Sequence, residues 1–375
     1  MSSAKTTQAH SLHPLTPAYD SILELAPYQT GKPVEELTRE YGVSDVVKLA
    51  SNENPTGCSP QVTLAITEQL SQLARYPDGN GYYLKQALSD FTAMSIDCIT
   101  LGNGSNDLLD ILARSFVGCD DAIVYSQYGF VVYSMLAKMQ GAMGIEVPAQ
   151  RFGHDLIAMR QAIEDNPNTK IVFIANPNNP TGTQLDSEEL YDFVASMPAS
   201  VLVVLDEAYI EYSPESNNRS LLDEFDNVVI VRTFSKAYGL AGLRIGYALS
   251  SPAVAELLNR IRQPFNVSRI GLAAAAAALA DQNFIEEVRQ TNTEQMRWLE
   301  KQFDALGLGF IKSSANFIMV EIEDAADINQ ALLEQGVIVR PLKSYGLNDW
   351  LRITVGLAED NLRLIDTLKS ILNDE

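Results

Sequence analysis

Between Ile99 and Leu249, short apolar runs rich in β-branched residues alternate with stretches of helical periodicity. The runs are Ile99–Leu101, Ala122–Tyr125, Gly144–Val147, Lys170–Ala175, Val201–Asp206, Val228–Thr233 and Ile245–Leu249. The longer of these show no polar alternation, the mark of parallel strands buried on both faces beneath helices. The alternation therefore predicts an α/β fold with a mostly parallel sheet flanked by helices. The segment between Val228–Thr233 and Ile245–Leu249 is too short for a helical crossover, so that pair is expected to be locally antiparallel. Open sheets of this kind bind ligands in the crevice at the carboxyl ends of their strands. The loops that follow the runs are thus where chemistry is expected.

The flanks read differently. A chain of 375 residues is long for one core. Residues 1–20 are expected to be a flexible arm, 47–270 the large domain, and 21–46 with 271–375 a smaller α+β domain. Val34–Tyr41 reads as a short amphipathic helix, Val46–Ala50 as a strand and Pro60–Leu73 as a helix. Long helices are expected from Pro252 through Leu299, then short strands at Phe317–Val320, Val337–Val339 and Leu351–Thr354, and a closing helix from Glu359. The alanine tract Gly271–Ala280 is shorter than the roughly 20 residues a bilayer requires and reads as a tightly packed helix. Met1–Ser11 carries no apolar signal core, so a soluble, cytoplasmic protein is expected.

Lys236 follows the run Val228–Thr233, inside Thr233-Phe-Ser235-Lys236-Ala-Tyr-Gly-Leu-Ala-Gly-Leu-Arg244. An amine there enters the crevice, beside the Ser235 hydroxyl and within reach of a guanidinium, Arg244, whose planar fork suits a phosphate. Together they suggest a cofactor with both an aldehyde and a phosphate: pyridoxal phosphate, held as a Schiff base on Lys236. Asp206 ends a strongly apolar run, where a carboxylate is costly without a cation; a protonated pyridine nitrogen would serve, and a helix N-cap is the plainer reading. Asn179 sits in a loop stiffened by Pro177 and Pro180. Gly102-Asn-Gly-Ser105-Asn106-Asp107 opens a helix and reads either as a phosphate cradle or as a plain turn. Asp107 stands where a dinucleotide fingerprint requires glycine.

Charge and cysteine usage narrow the partners. Lys and Arg number 27 against 48 Asp and Glu, a net charge of −21, which argues against nucleic acid and anionic membranes. Cys58, Cys98 and Cys119 are widely spaced and read as free thiols, without a metal site or disulfide framework. His10 and His13 fall in the arm and His154 in a loop; all three are expected to be exposed and idle, which leaves zinc and Ser-His-Asp chemistry without support.

The set Asn179, Asp206, Tyr209, Ser235, Lys236 and Arg244, in this order, resembles the fold-type I pyridoxal-phosphate aminotransferases across almost the whole chain. The resemblance implies the aspartate-aminotransferase-like fold. It implies ring-oxygen contacts from Asn179 and Tyr209, a pyridine-nitrogen partner in Asp206 and the Schiff-base lysine in Lys236. Phosphate ligands would come from Ser105, Asn106, Ser235 and Arg244. A ring would stack on Phe130, or on Tyr128, which the local spacing also allows. Within that family the chain is most similar to the histidinol-phosphate aminotransferases, through Leu25-Ala-Pro-Tyr28, Ser51-Asn-Glu-Asn-Pro55, Arg75-Tyr76-Pro-Asp78, Ala315-Asn316-Phe317, Val339-Arg340-Pro341 and Leu351-Arg352. That implies substrate contacts from Tyr28, Asn316, Arg340 and Arg352, and a homodimer in which Tyr76 reaches the neighbouring subunit's cofactor phosphate. The implied reaction is a ping-pong transamination between histidinol phosphate and 2-oxoglutarate. Its rivals are an aromatic-amino-acid aminotransferase, a decarboxylase acting on a phosphate-bearing amino acid, and a binding protein that keeps only the fold; the presence of Lys236 and Asp206 argues against the last.

Overall fold

The computed structural model describes residues 20–23, 25–27, 31–214 and 217–373. The arm expected over 1–20 lies outside them except for Asp20, which opens the short helix Asp20–Leu23. All seven apolar runs form strands of one sheet: β2 (Ile99–Gly102), β3 (Ala122–Ser126), β4 (Met143–Val147), β5 (Thr169–Ala175), β6 (Leu202–Asp206), β7 (Val228–Thr233) and β8 (Gly246–Ser250), after a two-residue β1 (Val47–Lys48). Their order is β2-β8-β7-β6-β5-β3-β4. Among the described strands of this sheet only β8 runs against its neighbours, so the antiparallel pair expected of β7 and β8 is present. Its start therefore lies at the same edge as the ends of the parallel strands.

The runs are apolar throughout because both faces of the sheet are covered. Along β6, Val203 and Leu205 enter one core while Leu202 and Val204 enter the other, and β7 divides Val228 and Ile230 from Val229 and Val231 in the same way. Burial of each such side chain contributes about 1.5–3 kcal/mol, which fixes the register. That register sets Asp206 between Ala175 of β5 and Val231 of β7. The carboxyl ends of three strands are thereby brought level.

The C-terminal segment forms a second, antiparallel sheet in the order β12 (Arg340–Pro341), β13 (Trp350–Thr354), β10 (Phe317–Glu321), β9 (Gly309–Ile311). Sequence reading missed β9, a three-residue edge strand too short to show periodicity. The strand expected at Val337–Val339 divides: β11 (Val337–Ile338) pairs in parallel with β1, and Arg340 then joins β13. The helix expected over Pro60–Leu73 is α-helical to Gln69, started by the Ser59 hydroxyl accepting from the Gln61 N–H, and tightens to a 3-10 turn at Leu70–Gln72. The alanine tract forms the helix Arg269–Ala280; its small side chains let it lie against Pro60–Gln69 and Tyr82–Thr92, with Ala274, Ala275 and Ala278 in the core of the large sheet. No described helix is long and apolar enough to cross a membrane.

Candidate active site

Loops from the ends of β2, β3, β5, β6 and β7 meet around a cavity of about 270 Å³. Ser105, Asn106, Phe130, Asn179, Asp206, Tyr209, Ser235, Lys236, Arg244, Arg340 and Arg352 all line it. Its first part is an anion cradle. The helix Ser105–Phe116 starts at Gly104, whose φ of +88 suits glycine, and a Cβ there would lie 2.5 Å from Arg244 Nη2. Arg244 donates from Nη1 to Ser235 Oγ at 3.2 Å. A helix N-terminus, two hydroxyls and a guanidinium thus converge where a phosphate would sit.

Beside the cradle stand the groups expected to act on a ring. Asp206 is only 5% exposed, accepts from the Tyr133 hydroxyl at 2.9 Å and from the Ala208 N–H at 3.2 Å, and among the described residues no cation forms an ion pair with it. Burial pushes its carboxyl up to about 6, although both donors pull the other way. Lys236 Nζ donates to Ser51 O at 3.2 Å and lies 5.5 Å from the centre of the Tyr209 ring. Burial, then the nearby Arg352 charge, lowers its amine to about 8. Phe130 lines the cavity, whereas Tyr128 stacks on Phe152 at 5.7 Å and takes no part in the lining.

The opposite wall comes from the small sheet. Arg340 and Arg352 are direct cross-strand partners on β12 and β13. Arg352 is 9% exposed, donates to Asn179 Oδ1 at 2.5 Å and to Ala50 O at 2.8 Å, and lies over the Phe317 ring. Like charges placed opposite one another destabilise a sheet, and their meeting in a cavity marks it as a place for anions.

Two expected groups are not brought into this cavity. Asn316 is buried and donates to the carbonyls of Asn52 and Glu53 at 3.1 and 3.4 Å, bracing that segment from behind. Tyr76 is 77% exposed and stacks on Phe265. Tyr28 lies outside the described residues. His154, expected to be exposed, is 8% exposed with Nε2 2.9 Å from Ala175 O; burial lowers its pKa, so the ring braces the end of β5 as a neutral group. Sequence reading missed Tyr133 altogether. The available signal was its place in the first turn of the helix Val132–Gln140, directly after the loop that carries Phe130, whose ring it meets edge-on.

The residues fit pyridoxal phosphate on two observations: a buried carboxylate without a cation, and a glycine-shaped cradle closed by a guanidinium. The model of the class I and II aminotransferases matches residues 44–368, and fold and site together define a member of that class. The chain is 81% identical over 381 residues, 100% of both chains, to histidinol-phosphate aminotransferase 1 of Psychrobacter arcticus. It is 50% identical over 361 residues to histidinol-phosphate aminotransferase 2 of Pseudomonas fluorescens, covering 95% of this chain and 97% of that one. The crystal structure of histidinol-phosphate aminotransferase from Sinorhizobium meliloti in complex with pyridoxal-5'-phosphate superposes with a TM-score of 0.87 at 31% identity, over 95% of this chain and 98% of that chain. The chain belongs to the histidinol-phosphate aminotransferase family, and the fold expected from the resemblance is borne out.

Proposed function

We propose that the chain transfers the amino group of L-histidinol phosphate to 2-oxoglutarate, giving imidazole acetol phosphate and glutamate in histidine biosynthesis, with pyridoxal 5'-phosphate as cofactor. The observation that carries this reading is the cross-strand pair Arg340 and Arg352 in the cavity that also holds Lys236. Two forks serve the phosphate of one substrate and the carboxylates of the other in turn by bidentate contacts. In a chain of net charge −21, this local positive field is also what attracts either anion. An aromatic amino acid brings no phosphate to the second arginine, so the aromatic aminotransferase is the poorer fit.

When bound, pyridoxal phosphate supplies an aldehyde for the substrate amine and a ring that accepts electron density from Cα. Lys236 would hold it and, once the substrate amine has taken its place and freed it, would take the proton from the substrate Cα; a free amine lowered to about 8 is partly neutral at physiological pH, as a base must be. Asp206, held by Tyr133 and the Ala208 N–H, keeps the ring nitrogen protonated. Asn179 and Tyr209 bind the ring oxygen, Phe130 covers the ring face, and Ser105, Asn106, Ser235 and Arg244 hold the phosphate. Tyr76, exposed on its own chain, serves the cofactor phosphate of a second subunit in a cytoplasmic homodimer.

Initial rates with both substrates varied test this. Parallel double-reciprocal lines, with kcat/KM for histidinol phosphate at least about 100-fold above that for phenylalanine, are expected. Equal values for the two donors would overturn the substrate assignment.

A further inference from the structure

We propose that Asn52 is a positioning residue that decides where the Tyr209 hydroxyl sends its proton. This rests on the cavity being the pyridoxal phosphate site, and it concerns a residue outside the groups assigned above.

Asn52 is 1% exposed and adopts φ 55, a left-handed conformation that asparagine tolerates better than most residues. Its backbone N–H donates to Thr354 Oγ1 at 2.9 Å, and Thr354 Oγ1 lies 3.1 Å from Asn52 Oδ1. A hydroxyl has one proton. Having accepted from the backbone, Thr354 gives that proton to Oδ1, which turns the amide oxygen of Asn52 toward β13. The amide nitrogen then faces Tyr209 and donates to its hydroxyl oxygen at 2.9 Å.

An amide NH₂ cannot accept. Tyr209 must therefore accept from Asn52 and send its own proton elsewhere. The ring is 4% exposed and packs edge-on against Phe317 at 5.1 Å, which fixes its plane, and it lines the cavity. The proton is left for the anionic ring oxygen of a cofactor held through Lys236. The same short segment places Ala50 O on Arg352, Ser51 O on Lys236 and Asn54 Nδ2 on Ala237 O, so Asn52 stands in a rigid brace shared by both anion-binding and base groups. A donor aimed in advance is worth more than one that must be oriented on binding.

The test uses the cofactor-loaded enzyme and the pH titration of its visible band. Asn52→Gly keeps the backbone, because glycine accepts positive φ without strain, and removes only the amide. With Tyr209 no longer oriented, the ring oxygen keeps more charge and the proton at the Lys236 nitrogen is held more tightly. The band should titrate about half a unit to one unit higher, and kcat/KM should fall about 3- to 10-fold. Asn52→Asp should shift it further, since a carboxylate draws the phenolic proton away from the cavity. In a Tyr209→Phe background, Asn52→Gly should add nothing. An unshifted band in Asn52→Gly, or the same shift without the Tyr209 hydroxyl, would overturn the inference alone. Wild-type protein that forms no visible band with pyridoxal phosphate would overturn the cofactor reading and this inference with it.

Discussion

Asp206 and Glu207 are consecutive carboxylates at the end of one strand, and they meet opposite fates. Glu207 is fully buried and accepts from Arg232 at 2.7 and 2.8 Å and from Asn218 at 2.9 Å. Its charge is matched within the fold. Asp206, on the cavity side, has among the described residues only a phenol and a backbone N–H as donors, and burial pushes it up to about 6. The fold completes one carboxylate and leaves the other short of a cation. A buried charge that its own protein does not pair marks a site that a ligand completes.

This contrast can be broken most forcefully at the cavity side. Asp206→Asn should lower kcat by about 10²- to 10⁴-fold, the range of a positioned proton-holding group, while the protein stays folded. Glu207→Ala should do the reverse: the buried Arg232 guanidinium loses its ion-pair partner and keeps only Asn217 and the more distant charge of Glu211, and denaturant unfolding should show a loss of about 3–5 kcal/mol. Equal thermal stability of the two variants would dissolve the distinction.

Arg340→Ala removes one charge-assisted contact, which predicts a 10- to 100-fold fall, roughly, in kcat/KM for histidinol phosphate, with phenylalanine hardly affected. Comparable losses on both donors would point away from a phosphate contact. The pH dependence of stability sharpens the comparison further. A carboxyl raised in the folded state is protonated there before it is in the unfolded chain, so its cost is absent near pH 4, grows through about 6 and is full above. Cofactor-free Asp206→Asn should accordingly match wild type near pH 4 and exceed it by about 2–3 kcal/mol at pH 8. A constant difference across that range would show that Asp206 is not the titrating group. Smallest of all, Tyr133→Phe should lower kcat about 3- to 10-fold by removing one of the two donors that hold Asp206; an unchanged kcat would remove Tyr133 from that role.

The sheet side of the site was legible because each part of it follows a buried strand. An unbroken apolar run followed by Asp206 or by Lys236 places that residue in the crevice from topology alone. The opposite wall was not legible in that way. Arg340 sits on a two-residue strand, and Arg352 becomes its neighbour only through antiparallel pairing between β12 and β13. Nothing local in the sequence announces that contact, and the family resemblance supplied it. Tyr133 and Asn52 were missed for a related reason: each acts on another side chain across the fold, Asp206 and Tyr209, at sequence separations of 73 and 157. Periodicity reports the face on which a residue lies and is silent on the distant partner it meets there.

The most direct measurement is the visible spectrum of the pyridoxal-phosphate-loaded protein mixed separately with histidinol phosphate and with phenylalanine, without a 2-oxo acid. Loss of the band of the lysine-bound cofactor at low histidinol phosphate, with phenylalanine leaving it intact at the same concentration, is the predicted result. Equal bleaching by phenylalanine, or no such band in the loaded protein, would contradict the account.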